Sequence, residues 1–168
     1  MVENLLTVTR INAENASVAK TEEPVEEVVE EAVSRLKKRL PGVAIRVKVP
    51  DEFYLIPMDA TLIEQVIINL LENAALHSGT VEPIEVTVRA NGNSIQFDVG
   101  DYGRGIPEDR LHTIFDGTGS FNKNDSSDTH KGMGIGLSIC KTIVNAHGGK
   151  ITASNHEHGA KFSFTLPM

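Results

Sequence analysis

A chain of 168 residues with 40% hydrophobic content can bury one sizeable core and is too short for two full domains. Its formal net charge of −7 excludes a basic face suited to a nucleic-acid backbone, so any phosphate it binds must be held locally. A lone cysteine, Cys140, excludes an internal disulfide and suits a reducing compartment, and no apolar run approaches the ~20 residues that span a bilayer.

In chain order, Leu5, Leu6, Val8 and Ile11 predict a short amphipathic helix over 3–12, followed by a polar linker. So short a helix has few partners of its own. Residues 1–16 therefore read as the end of an upstream helix with its linker, and 17–168 as the folded domain. Val18 and Ala19 suggest an edge strand, and Pro24 suits the first position of the next helix. That helix carries one apolar stripe at Val25, Val28, Val29, Ala32, Val33, Leu36 and Leu40. Its acids come early and its bases late, complementing the helix dipole.

Pro41-Gly42 stops the helix, and Val43, Ile45, Val47 and Val49 alternate with Arg46 and Lys48 as in a half-buried strand. A shorter strand is expected over 53–57, after which Asp59 caps a helix running to about His77. Residues 85–90 and 94–99 read as a hairpin turning at Asn91-Gly92. A third helix is expected from about Gly134 to His147. Residues 151–155 and 160–166 then form a closing hairpin that turns at Glu157-His158-Gly159. The fold class is α+β, a two-layer sandwich with three main helices on a mixed, mostly antiparallel sheet.

Three stretches carry chemistry. Glycines at 132, 134 and 136 open the third helix, where backbone amides without carbonyl partners sit at the positive end of the dipole and can hold phosphate, with Lys131 beside them. Spaced glycines also serve turns and close packing, and there is neither a Gly-Lys-Ser/Thr ending nor a preceding strand, so the pattern decides nothing alone. On the helix over 60–77, Gln65, Asn69, Asn73 and His77 recur every four residues and share one face. A solvated face is usually charged, whereas this one is amide-rich, and an amide carbonyl is a hard oxygen suited to Mg²⁺. Asp101-Tyr102-Gly103-Arg104-Gly105-Ile106 follows a strand. It could be an ordinary turn, or a carboxylate placed to receive the exocyclic amine of a purine.

Taken together, Asn-Leu-Leu-Glu-Asn-Ala at 69–74, Asp-x-Gly-x-Gly-Ile at 101–106 and Gly-x-Gly-x-Gly-Leu at 132–137 resemble the asparagine box and two glycine boxes of the GHKL (Bergerat) ATP-binding fold. His147-Gly148-Gly149 and the ending over 159–167 resemble the catalytic ATP-binding domains of sensor histidine kinases. The start over 2–6 and Ile-Phe-Asp-Gly at 114–117 look most like the potassium-responsive KdpD-type kinases. The resemblance implies ATP and Mg²⁺ as cofactors. It makes Asn73 the metal ligand, with Asn69 supporting it as the second catalytic residue, and Asp101 the reader of adenine N6. Gly103, Gly105 and Ile106 would line the base. Gly132, Gly134, Gly136 and Leu137 would wrap the phosphates, with Lys131, Met133, Ile135, His77 and Thr165 also in the nucleotide site and 116–131 as a mobile lid.

Two positions depart from the family pattern. Leu76 stands where a basic residue is usual, with His77, Lys123 and Lys131 as its nearby replacements, and Thr118 stands where a second lid phenylalanine is expected. The ATP-hydrolysing members carry a carboxylate base four residues before the metal-binding asparagine. Here that position is Asn69, which cannot take a proton from water, so phosphoryl transfer is favoured over hydrolysis. Glu72 neighbours Asn73 but points around the helix from it. None of the histidines 77, 112, 130, 147, 156 and 158 lies in an acceptor-helix context, and His156 with His158 lacks a third metal ligand. The implied partners are an upstream histidine-bearing dimerisation domain and a downstream response regulator. The implied setting is the cytosolic part of a membrane-anchored kinase, without nucleic acid or direct membrane contact. A serine kinase acting on an anti-sigma partner and a nucleotide-binding module without transfer activity remain the alternatives.

Overall fold

The computed structural model describes residues 18–77, 82–116 and 128–168. The predicted helix over 3–12 and most of the expected lid lie outside them. Five strands form the main sheet in the order β2-β4-β5-β7-β6: β2 (Ile45–Lys48), β4 (Ile84–Asn91), β5 (Ser94–Gly100), β6 (Lys150–His156) and β7 (Gly159–Pro167). Only the β2/β4 pairing is parallel, consistent with the long connection between those strands. The other neighbours are antiparallel hairpin partners or, for β5 and β7, meet through an insertion. β1 (Thr21–Pro24) and β3 (Leu55–Met58) form a separate two-stranded antiparallel ribbon.

Three helices cover one face of the sheet: α1 (Val25–Arg39), α2 (Ala60–His77) and α4 (Asp128–Ala146). α2 lies between the other two and packs on both. Alternation along the strands sends Ile84, Val86 and Val88, then Ile95, Phe97 and Val99, then Phe162, Phe164 and Leu166 into the core. Phe97 and Phe164 are cross-strand partners whose rings stack with centroids 4.5 Å apart. Each fully buried large side chain stabilises the fold by about 1.5–3 kcal/mol relative to exposure, so this face holds the domain together. On the opposite face the buried carboxylate of Asp98 accepts hydrogen bonds from Arg89, Gln96 and Ser163. No helix among the described residues is long and apolar enough to cross a membrane.

The two-layer sandwich is as read from the sequence, with several local corrections. The first strand is 21–24, not Val18-Ala19: its Thr-Glu-Glu-Pro sequence has no strand pattern of its own and is fixed by pairing with β3. Pro24 is the residue before α1, with extended φ −66° and ψ 119°. β2 is a largely exposed edge strand, and the short strand begins at Leu55, leaving Phe53 72% exposed. The last hairpin turns at Glu157-His158, and Gly159 already belongs to β7. A four-residue helix, α3 (Glu108–Leu111), had too little periodicity to be foreseen.

The largest correction concerns α4. It starts at Asp128, about a turn and a half before Gly134, so the glycines at 132, 134 and 136 lie inside a helix and do not open one. Propagating a helix adds one backbone hydrogen bond per residue fixed, while glycine weakens it by only about 0.5–1 kcal/mol, so spaced glycines need not break it.

Candidate functional site

α2 begins where the sequence places its cap: Asp59 Oδ1 accepts from Leu62 N at 3.3 Å. The backbone N–H of Asp59 donates to Nε2 of His147 at 3.0 Å. His147 Nδ1–H donates to the Ile143 carbonyl at 2.8 Å, which fixes the neutral tautomer. This ring is buried, and burial holds it below the ordinary imidazole value, against an opposing pull from the Ile143 carbonyl. His147 therefore ties the end of α4 to the start of α2. α4 itself closes in a Schellman turn, with Gly149 N donating to Val144 O and Gly148 N to Asn145 O.

Between these tied ends, α2 packs on α4 with Asn69 at the contact. Asn69 is buried, and its Cγ lies 3.8 Å from where a Cβ on Gly136 would stand. Cys140, one turn further along α4, is also buried, its Sγ donating to the Val66 carbonyl at 3.7 Å, and burial pushes its thiol up to about 12. That thiol is a core group, not a nucleophile. Glu72 is bound to Arg39 of α1 at 2.8 Å and so turns away from the stripe, as the helix geometry required.

Among the described residues, two buried side-chain atoms have no hydrogen-bond partner: Nδ2 of Asn69 and Oδ1 of Asn73. They sit one turn apart on α2. Leaving a buried polar atom unsatisfied costs about 1–3 kcal/mol, and Asp59, Asp98, Asp101 and His147 all avoid it. An unpartnered carbonyl oxygen at Asn73 fits the hard-oxygen preference of Mg²⁺.

Asp101 continues the helix-facing phase of β5 beyond the strand's end and is buried. Its backbone N–H donates to Ala160 O at 2.9 Å, and its Oδ1 accepts from Gly103 N at 2.9 Å and Ala160 N at 3.3 Å. Its other oxygen, Oδ2, takes no hydrogen bond among the described residues. Gly159 makes this fit possible, since a Cβ there would meet the Asp101 carbonyl oxygen at 2.1 Å. Gly105 has φ +78°, and a Cβ on it would stand 2.8 Å from Asn155 Oδ1. Ile106 is buried, as a residue lining an apolar site would be.

The sequence-predicted residues divide accordingly. Asn69 and Gly136 meet in the α2–α4 seam, Asn73 follows Asn69 one turn along α2, and Asp101, Gly103, Gly105 and Ile106 share one loop. Leu137 is a buried core side chain, which excludes its side chain as a phosphate contact. Thr165 is not brought to the site. It lies between buried Phe164 and Leu166 on β7, so its side chain takes the sheet face opposite the helices. The side chains of His77, Lys131, Met133 and Ile135, and residues 117–127 with Thr118 and Lys123, lie outside the described residues. The expected lid thus loses its far end, since 128–131 form the first turn of α4. Sequence reasoning missed Asn155, His156 and Gly159, whose contacts depend on the closing hairpin's register, and the clasp of His147, whose one signal is a histidine at a helix end followed by two glycines.

Residues 58–168 match the family described as "Histidine kinase-, DNA gyrase B-, and HSP90-like ATPase". The chain is 46% identical over 170 residues to the sensor protein KdpD of Clostridium acetobutylicum, covering 99% of this chain and 19% of that protein. To the sensor protein KdpD of Escherichia coli K12 it is 39% identical over 171 residues, covering 100% of this chain and 18% of that protein. The chain thus spans about one-fifth of the length of these relatives. Among solved structures, the catalytic domain of histidine kinase ThkA superimposes with a TM-score of 0.76 at 29% identity, over 89% of this chain and 96% of that one.

Proposed function

The chain belongs to the histidine kinase-, DNA gyrase B- and HSP90-like ATPase family, and from that premise we propose that it is the ATP-binding catalytic domain of a sensor histidine kinase. In this reading it delivers the γ-phosphate of ATP to a histidine on a helical dimerisation domain. A response regulator then takes the phosphoryl group. ThkA, whose complex with the response regulator TrrA is 27% identical to this chain with a TM-score of 0.74, supports that class of partner.

The observation that carries the reading is the pair of buried amide atoms on α2 without a hydrogen-bond partner among the described residues, Asn69 Nδ2 and Asn73 Oδ1, with Asn69 packed beside Gly136 of α4. Asn73 would hold Mg²⁺ through its carbonyl oxygen, with Asn69 in support, and the metal would neutralise charge on the phosphates. Asp101 would accept the adenine amine on Oδ2 while its Oδ1 stays on the backbone amides of Gly103 and Ala160. Gly132, Gly134 and Gly136 would bring backbone close to the phosphate chain. No carboxylate lies on the amide stripe of α2, and Glu72 is held by Arg39, so the residues at hand orient the nucleotide without activating water. Within the full protein the domain would face the cytosol.

Calorimetric titration with Mg²⁺-ATP, followed by γ-labelled ATP and a dimerisation domain supplied in trans, tests this. The expected result is binding, negligible hydrolysis by the chain alone and label on the partner's histidine. Rapid hydrolysis without a partner overturns the kinase assignment. Binding without transfer to any cognate dimerisation domain would favour a nucleotide-binding module.

A further inference from the structure

The loop from Asp101 to Ile106 is held at both ends by the β6–β7 hairpin. At its start, the Asp101 N–H donates to the Ala160 carbonyl of β7 and Ala160 N donates back to the Asp101 side-chain Oδ1, while the Asp101 carbonyl accepts from His156 Nε2 at 2.6 Å. A carbonyl only accepts, so Nε2 carries the proton, and Nδ1 is left to accept from His158 N at 3.3 Å. At its end, the Asn155 side chain bonds the backbone of Ile106 twice: Ile106 N donates to Oδ1 and Nδ2 donates to Ile106 O, both at 2.7 Å. The amide thereby acts as one more rung of a β-ladder, laid across 49 residues of sequence. It also fills the space beside Gly105, which lacks a Cβ there.

Resting on the reading that Asp101 recognises adenine, we infer that Asn155 is a positioning residue for base recognition. It fixes Ile106 against the core and sets the loop's path, so that Asp101 Oδ2 stays aimed at the base. His156 secures the other end of the same loop. A short planar amide suits this place because it offers one donor and one acceptor in the spacing of a peptide group, which neither alanine nor aspartate reproduces.

The test compares ATP and GTP affinities, by calorimetry with Mg²⁺, for the unaltered chain, Asn155→Ala and Asn155→Asp. Nucleotide-free unfolding is measured in parallel. Loss of one constraint on the scale of a hydrogen-bond pair should weaken ATP binding about tenfold in Asn155→Ala while GTP binding, already poor, changes little, so the ratio collapses. Asn155→Asp keeps the acceptor for Ile106 N, loses the donor and should fall between. General loosening would lower both affinities together and leave the ratio intact, which overturns the inference, as does an unchanged ratio in Asn155→Asp should the alanine variant fail to fold. If the unaltered chain itself binds ATP and GTP equally, the adenine reading of Asp101 fails first, and the two failures are distinct.

Discussion

The chain holds two runs of spaced glycines, 101–106 and 132–137, and they are built in opposite ways. The first is a true loop, pinned by a backbone bond to Ala160, by His156 and by the two bonds of Asn155, with Gly105 in a left-handed conformation. The second is carried inside α4, whose far end is secured by His147 and a Schellman turn. A glycine pattern therefore does not specify a loop. Its partners do: where another segment claims the backbone's hydrogen bonds the run stays open, and where none does the helix continues through it.

If the pinned loop reads the base, the largest expected effect is on Asp101. Asp101→Asn removes the anionic acceptor of a charge-assisted bond and should weaken ATP binding by about 1.5–3 kcal/mol, while GTP, which presents a carbonyl there, is hardly affected. Calorimetry with both nucleotides measures this, and equal losses would take Asp101 out of the role. Next comes Gly105→Ala, which forces a side chain into φ +78° and against Asn155 Oδ1. It should destabilise the nucleotide-free fold by about 1–3 kcal/mol in denaturant unfolding.

The pH dependence bears on how α4 is anchored. His147 is held below its ordinary value of 6.5, so as pH falls past that value the unfolded chain takes up the proton first. Its contribution is fully present above about 6.5 and lost progressively below it. Thermal unfolding from pH 8 to 5 should show this decline, and His147→Gln should flatten it. The smallest effect has the opposite sign to that at Gly105. Gly134→Ala, inside a helix, should stabilise the nucleotide-free protein by about 0.5–1 kcal/mol, and a destabilisation would place Gly134 outside helical geometry.

Much of the architecture was legible. The alternation over 85–99 around Asn91-Gly92 forecast β4 and β5, and the apolar stripe after Asp59 forecast α2 with its cap. What escaped was set by distant partners. β1 exists because β3 pairs with it, and Asn155 matters because hairpin register brings it to Ile106. The error at Thr165 was avoidable: counting by two from Phe164 and Leu166 puts it on the face away from the helices. The amide stripe was legible as unusual, since asparagines suit a helix poorly, but only the packed structure isolates Asn69 Nδ2 and Asn73 Oδ1 as buried atoms without partners.

That pair is the centre of the account, and Asn73→Ala tests it most directly by thermal unfolding with and without saturating Mg²⁺-ATP. If Asn73 Oδ1 is kept for a ligand, removing it relieves an unsatisfied buried atom. The nucleotide-free midpoint should then hold or rise, while the ligand-induced shift, about 2.7 kcal/mol at ~100 times Kd in the unaltered protein, should disappear. A lowered midpoint together with an undiminished shift would show that Asn73 serves the fold and not the nucleotide.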